Sequence, residues 1–160
     1  MINITNREIG IQFEKNIQSI LESTKYEVLN ETNVRSKYGN HNSCIDHLII
    51  TNNYIIAFQD KWTTKKPGIS NINHFIQCVN NISQILNKKC LAIYLSKQCI
   101  TKVSQTSFDL QNEKKKNYFI CISDENFNIL SNKLMKFLYS YEIYYYDDDN
   151  YDNCIVMQDE

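Results

Sequence analysis

Asp46, Gln59 and Lys61 are the residues whose types and spacing best suit chemistry in this 160-residue chain. They lie in and around CIDHLIITNNYIIAFQDKW (44–62), where Asn52-Asn53 separates two apolar, β-branched runs. Asn tolerates a positive φ, so the pair suits a two-residue hairpin turn. With that turn Thr51 faces Tyr54, Ile50 faces Ile55, and partner numbers always total 105. Asp46 then stands opposite Gln59, with Cβ atoms about 5 Å apart on one face of the sheet. Lys61, two residues further on, points to the same face, while His47, Phe58 and Asp60 point to the other. Ile55 and Ala57 share the face of the polar trio, so the trio ends a buried strand.

A carboxylate, an amide oxygen and a further nearby carboxylate suit Mg²⁺ (or Mn²⁺), a hard cation that keeps several waters. A lysine beside such a cation orients a nucleophilic water and stabilises charge building on a phosphate. The cation itself polarises the phosphoryl group and lowers the pKa of a bound water. Phosphodiester hydrolysis is the reaction these parts fit. Spacing alone fits equally well a strand that runs out to the surface with ordinary polar residues.

The elements that must position these groups follow from periodicity. Ile9, Phe13, Ile17, Ile20 and Leu21 recur at helical spacing over 7–22, with Asn6 as the expected N-cap. Glu14 falls on the flank of that apolar face, beside Leu21; by position alone it reads as a solvated helix residue. Residues 25–35 read as a first strand through Tyr26, Val28 and Val34, and the polar stretch 37–42 with Gly39 reads as a loop. A second long helix is expected over 71–86, with Ile72, Phe75, Ile76, Val79, Ile82, Ile85 and Leu86 as its stripe and Ser70 or Asn71 as its cap. Strands are expected at 90–96 and 117–123, a short helix around 102–110, and a last helix from Glu125 to about Tyr139, capped by Ser123 or Asp124. The order αβββαβ(α)βα predicts an α/β fold with a mixed central sheet flanked by helices.

A helix acid, a hairpin Asp and then Gln-x-Lys, in that order, resemble the restriction-endonuclease-like PD-(D/E)xK nuclease superfamily, and more narrowly its Mrr-like branch. GIQFEKNIQSIL (10–21), the hairpin, the helix after it, LAIYLSK (91–97) and NYFICISDENFNILSNKLMKFL (117–138) carry the likeness. The resemblance implies a restriction-endonuclease-like αβββαβ core and Mg²⁺-dependent DNA cleavage, with one site per strand and hence a homodimer. It makes Asp46 a metal ligand, Gln59 the occupant of the position usually held by Glu, and Lys61 the motif lysine. Glu14 becomes the helix acid that binds metal directly or through water, and the Asp60 carbonyl a further ligand. Ile45 stands where a Pro commonly precedes the Asp, and the acidic Asp60 beside Lys61 is unusual. Lys65 and Lys66 after the motif strand, and Arg35 and Lys37 before the hairpin, are the expected phosphate contacts. Lys114–Lys116 read as a solvated face, Trp62 as a core residue, and His41 as the histidine nearest the site.

The net charge of −1 conceals two unlike parts. No Lys or Arg follows Lys136, while 7 of the 18 acids do, which leaves residues 1–138 with 17 bases against 11 acids. A body of charge +6 suits DNA, and the chain divides into a nuclease-like domain, 1–138, and an acidic Tyr/Asp-rich tail, 139–160. The 23 Ile, 21 Asn and 15 Lys against 2 Arg point to an AT-rich genome, viral ones included. No apolar run approaches a membrane span, and MINITNREIG lacks the cationic and apolar regions of a signal peptide. An intracellular setting follows as an expectation, with the six cysteines as reduced, mostly buried thiols. Two rival functions remain: a nuclease fold that binds nucleic acid without cutting it, and a protein-interaction module that works through its acidic tail.

Overall fold

The computed structural model describes residues 4–146, with side chains to Tyr141. Thr51 donates its N–H to the Tyr54 carbonyl at 2.9 Å and so closes the hairpin at Asn52-Asn53. The paired strands are β2 (His47–Ile50) and β3 (Tyr54–Lys61), with His47 opposite Phe58, Leu48 opposite Ala57 and Ile50 opposite Ile55, the register expected from the turn. Before them come α1 (Asn6–Glu22), β1 (Val28–Asn30), α2 (Glu31–Tyr38) and a 3₁₀ turn, Asn40–Asn42. After them come α3 (Ile69–Leu86), β4 (Lys89–Ser96), α4 (Lys102–Glu113), β5 (Tyr118–Ser123) and α5 (Phe127–Tyr146). The five strands form one mixed sheet in chain order, β1 to β3 antiparallel and β3 to β5 parallel.

Helices cover both faces of this sheet, which is why β3 and β4 are apolar on both sides. Ile55 and Ala57 of β3 meet Phe75, Val79 and Ile82 of α3 and Phe108 of α4. Ile56 and Phe58 face the other way, toward Phe13, Ile17 and Leu21 of α1 and Leu130 and Leu134 of α5. Trp62 joins this second core by stacking on Phe13, with ring centroids 4.7 Å apart. The architecture is therefore the expected α/β sandwich, with α2, α3 and α4 on one side and α1 and α5 on the other.

Several local expectations are corrected. Residues 25–35 form only a three-residue strand, because the Asn30 side chain accepts from the Asn33 N–H at 3.0 Å and starts a helix there. Val34 is the single buried residue of that helix, so α2 shows no apolar stripe to betray it. Thr5, not Asn6, caps α1, in a reciprocal capping box with Glu8. Gly68 precedes α3 with no side-chain cap, and Asn126 accepts from the N–H groups of Asn128 and Ile129 at the start of α5. Ile9 and Ile85, expected inside, are 39% and 47% exposed. The last helix continues seven residues beyond Tyr139 to Tyr146, so the start of the acidic segment is helical. Residues 147–160, most of the expected acidic tail, lie outside the described residues.

The cysteines are also rearranged. Cys44 and Cys78 are 34 residues apart and are joined as a disulfide, not left as two reduced thiols. The packing of α3 against the segment before β2 brings them together, which local sequence does not reveal. Cys90 is free and buried, Cys121 free and half-buried, and Cys99 free and exposed. Among the described residues no helix is long and apolar enough to cross a membrane.

Candidate metal centre

Asp46 directly precedes β2 and is fixed from two directions. Its N–H donates to the Phe58 carbonyl at 2.8 Å, and its carboxylate accepts from the Asp60 N–H at 2.6 Å. One Asp46 oxygen is thus taken by the end of β3. Extending the β2–β3 register by one residue sets Gln59 opposite it, as expected. Extending the β1–β2 register, in which Asn30 pairs with His47, sets Glu31 on its other side. Glu14 arrives from α1: Gln18, one turn further along that helix, touches the His47 ring, so Glu14 falls over the start of β2. One carboxylate oxygen each from Glu14, Glu31 and Asp46 lie within 4.8 Å of one another.

Such a cluster stores unfavourable charge. Burial pushes the Asp46 carboxyl well above the usual range, repulsion from Asp60 adds to this, and the Asp60 N–H only partly offsets it. Burial also raises Glu14, with Glu31 adding to the rise and His47 opposing it. On the strand beside Asp46, the Gln59 Oε1 is buried and has no hydrogen-bond partner among the described residues. The neighbouring Asp60 Oδ1 and Tyr94 hydroxyl are likewise unpartnered, and Tyr94 pairs with Gln59 across β3 and β4. Three carboxylates and an orphaned amide oxygen form a hard-oxygen donor set, which fits Mg²⁺ or Mn²⁺. Glu14 and Asp46 come together, and the extended β2–β3 register sets Gln59 opposite Asp46. Glu31 is the addition, invisible when 25–35 is read as an unbroken strand.

Asp60 points to the opposite face, as the alternation requires, and has a partner there. Its Oδ2 lies 2.5 Å from His47 Nε2, while His47 Nδ1 lies 2.5 Å from the Gln18 Oε1. Both partners are almost wholly buried. Desolvation raises Asp60 and lowers His47, so burial favours the neutral form of each. The pair anchors the side chain of the residue whose N–H holds Asp46. His47→Leu leaves the buried Asp60 carboxyl without this hydrogen bond and is expected to destabilise the fold by about 1–3 kcal/mol, measured by denaturant unfolding. A loss within experimental error of zero would show that the pair does not anchor the strand.

The basic residues divide by location. Lys61, at the end of β3, makes no ion pair among the described residues; its carbonyl accepts from the Lys97 N–H at 3.2 Å. The Lys97 ammonium lies over the Trp62 ring, 5.7 Å from its centroid. Arg35 sits on α2, not on the expected strand, and pairs with Glu31 at 3.3 Å, which brings a guanidinium to the acidic cluster. Lys37, two residues on, is turned about 200° round the same helix and is exposed on another side. Lys65 and Lys66 are exposed in the segment after β3. Lys114–Lys116 follow the end of α4 with Lys88 and Lys89 nearby, where lysines complement helix C-termini. His41 is exposed and its ring packs over Gly39, whose φ of +108° and close approach to that ring leave no space for a Cβ.

No protein-family model matches the sequence, nor does any curated protein. Among solved structures the chain is similar to a repair endonuclease from Pyrococcus abyssi, at 12% identity and a TM-score of 0.45. The alignment covers 77% of this chain and 49% of that one, so the chain spans about half the length of this structural neighbour.

Proposed function

We propose that this protein is a Mg²⁺- or Mn²⁺-dependent endonuclease that hydrolyses DNA phosphodiester bonds, a Gln-x-Lys nuclease of the Mrr-like kind. The observation that carries this reading is the convergence of Glu14, Glu31 and Asp46 beside the unpartnered Gln59 oxygen. Asp46, Gln59 and Glu14 would hold the metal, with the Asp60 carbonyl alongside and Glu31 as a carboxylate that offsets the neutral Gln59. When bound, the metal polarises the phosphoryl group and acidifies a water. The Asp60 N–H and the His47–Asp60 anchor keep Asp46 in place. Lys61 orients the attacking water and donates hydrogen bonds to the phosphate oxygen on which negative charge builds. Arg35, Lys65, Lys66 and Lys37 contact flanking phosphates. One such centre cuts one strand, so a homodimer cuts a duplex, wherever the cell or a virus in its host handles DNA.

The test is a panel of linear, nicked, flap and four-way DNA incubated with Mg²⁺ or Mn²⁺. Cleavage that needs the metal supports the proposal. Salt-dependent binding with no cleavage in either metal would favour a non-cutting nuclease fold, the reading that the neutral Gln59 motivates. Absence of DNA binding would favour the protein-interaction module.

The acidic end enters this proposal through its charge. Because α5 extends to Tyr146, the cut belongs after that residue, where six acids remain. Truncation there is expected to strengthen DNA binding and to steepen its salt dependence, since log K falls with log salt in proportion to the phosphates neutralised. An unchanged slope in filter binding at several salt concentrations would show that the acidic end does not compete with DNA.

A further inference from the structure

A second donor cluster lies apart from the acidic one. Cys44 Sγ, Cys78 Sγ and a ring nitrogen of His74 all lie within 4.8 Å of one another. His74 and Cys78 are four residues apart on α3 and so share a helix face. Cys44 comes from the segment between the 3₁₀ turn and β2, two residues before Asp46. Both cysteines are buried and His74 is exposed, so the cluster is walled on one side and open to solvent on the other. The cysteine Cα atoms are 6.6 Å apart. Each sulfur also lies against a backbone carbonyl, Cys78 Sγ at 3.3 Å from that of His41 and Cys44 Sγ at 3.6 Å from that of His74. Once the disulfide is reduced, these carbonyls are placed to accept from the two S–H groups.

Two thiolates and an imidazole are a donor set of the opposite character to the acidic centre: soft, and suited to tetrahedral Zn²⁺ rather than to Mg²⁺. We propose that in the reduced protein Cys44, His74 and Cys78 bind one Zn²⁺, with a water in the fourth position on the exposed side. The site braces α3 against the segment that leads into Asp46. A dithiol or phosphine reductant delivers two electrons, and two protons are taken up, as the S–S bond becomes two thiols. Zn²⁺ then displaces both protons as it binds. The proposal does not depend on the nuclease reading.

The probe is Co²⁺, added to the full chain after anaerobic reduction with a phosphine. Thiol titration in denaturant should first count all six cysteines as free; a count of four would mean that the disulfide resists reduction and would overturn the proposal. The expected result is one equivalent of Co²⁺ with thiolate-to-cobalt charge-transfer absorption and intense tetrahedral visible bands, bleached by Zn²⁺. Cys78→Ser should remove the charge-transfer band or cut it sharply. His74 is exposed, so His74→Ala is expected to fold; it should keep thiolate absorption while weakening Co²⁺ affinity at least about tenfold. Asp46→Ala should leave the spectrum unchanged, which separates this site from the acidic centre. No charge-transfer absorption in wild type, or His74→Ala binding Co²⁺ as tightly as wild type, overturns the assignment.

Discussion

Asp46→Ala is expected to abolish metal-dependent DNA cleavage, with a fall of at least about 10³-fold in rate, or roughly 4 kcal/mol of transition-state stabilisation. Asp46 is the residue toward which the rest of the centre is built. It has Gln59 on one side in one register and Glu31 on the other in the second, and Glu14 over it from α1. Its removal eliminates a carboxylate that the adjacent Asp60 cannot replace, because the Asp60 carboxylate is committed to His47 on the other face of the sheet. The fold should survive. Among the described residues Asp46 makes one side-chain hydrogen bond, accepting from the Asp60 N–H, and its charge is disfavoured where it sits. A nicking assay on supercoiled DNA, with wild type and variant purified side by side, measures the effect. Cleavage by Asp46→Ala within tenfold of wild type would mean that the cluster is not the catalytic centre.

The second large effect concerns stability and follows from the same stored charge. The carboxyls of Asp46 and Glu14 are both raised in the fold. A raised acid binds its proton more tightly when folded than when unfolded. These two groups therefore cost stability at neutral pH, and that cost is relieved as pH falls through their folded pKa values toward the ordinary carboxylate range. His47 works against this trend: its pKa is lowered, so acid favours the unfolded chain from about pH 6.5 downward. Comparison with Asp46→Asn isolates the acidic centre from that opposing slope. Without divalent cations the variant is expected to melt above wild type at pH 7, by a margin that shrinks toward pH 4.

Cation binding should remove the same cost. Binding at 100 times the dissociation constant contributes about 2.7 kcal/mol, which corresponds to a rise of roughly 5–10 °C in melting temperature for a domain of this size. The Asn variant should gain little. Scanning calorimetry with Mg²⁺, with Mn²⁺ and with a chelator tests both halves. Equal cation shifts in wild type and Asp46→Asn would place the cation elsewhere.

Much of the centre was legible along the chain, because its geometry is local. A two-residue turn at Asn52-Asn53 determines the hairpin register, the register determines that Asp46 faces Gln59, and strand alternation puts Lys61 with them and Asp60 with His47 on the far side. Helical phase likewise puts Glu14 at the flank of the buried face of α1. Each of these depends on a repeat of two or 3.6 residues and on neighbours fewer than about twenty positions apart.

What only the tertiary structure decided involves partners that no local repeat relates. Glu31 reaches the cluster because β1 stops at Asn30 and pairs with β2, and a single buried Val34 was too weak a signal for the helix that follows. The partnership of Asp60 with His47 needed Gln18 of α1 to close the other side of the ring. The cluster of Cys44 with His74 and Cys78 shows the division most clearly. The spacing of four between His74 and Cys78 is readable as one helix face. The approach of Cys44, 34 residues from Cys78, is not, because the packing of α3 on the sheet sets that distance, and packing is a property of the whole core rather than of any segment.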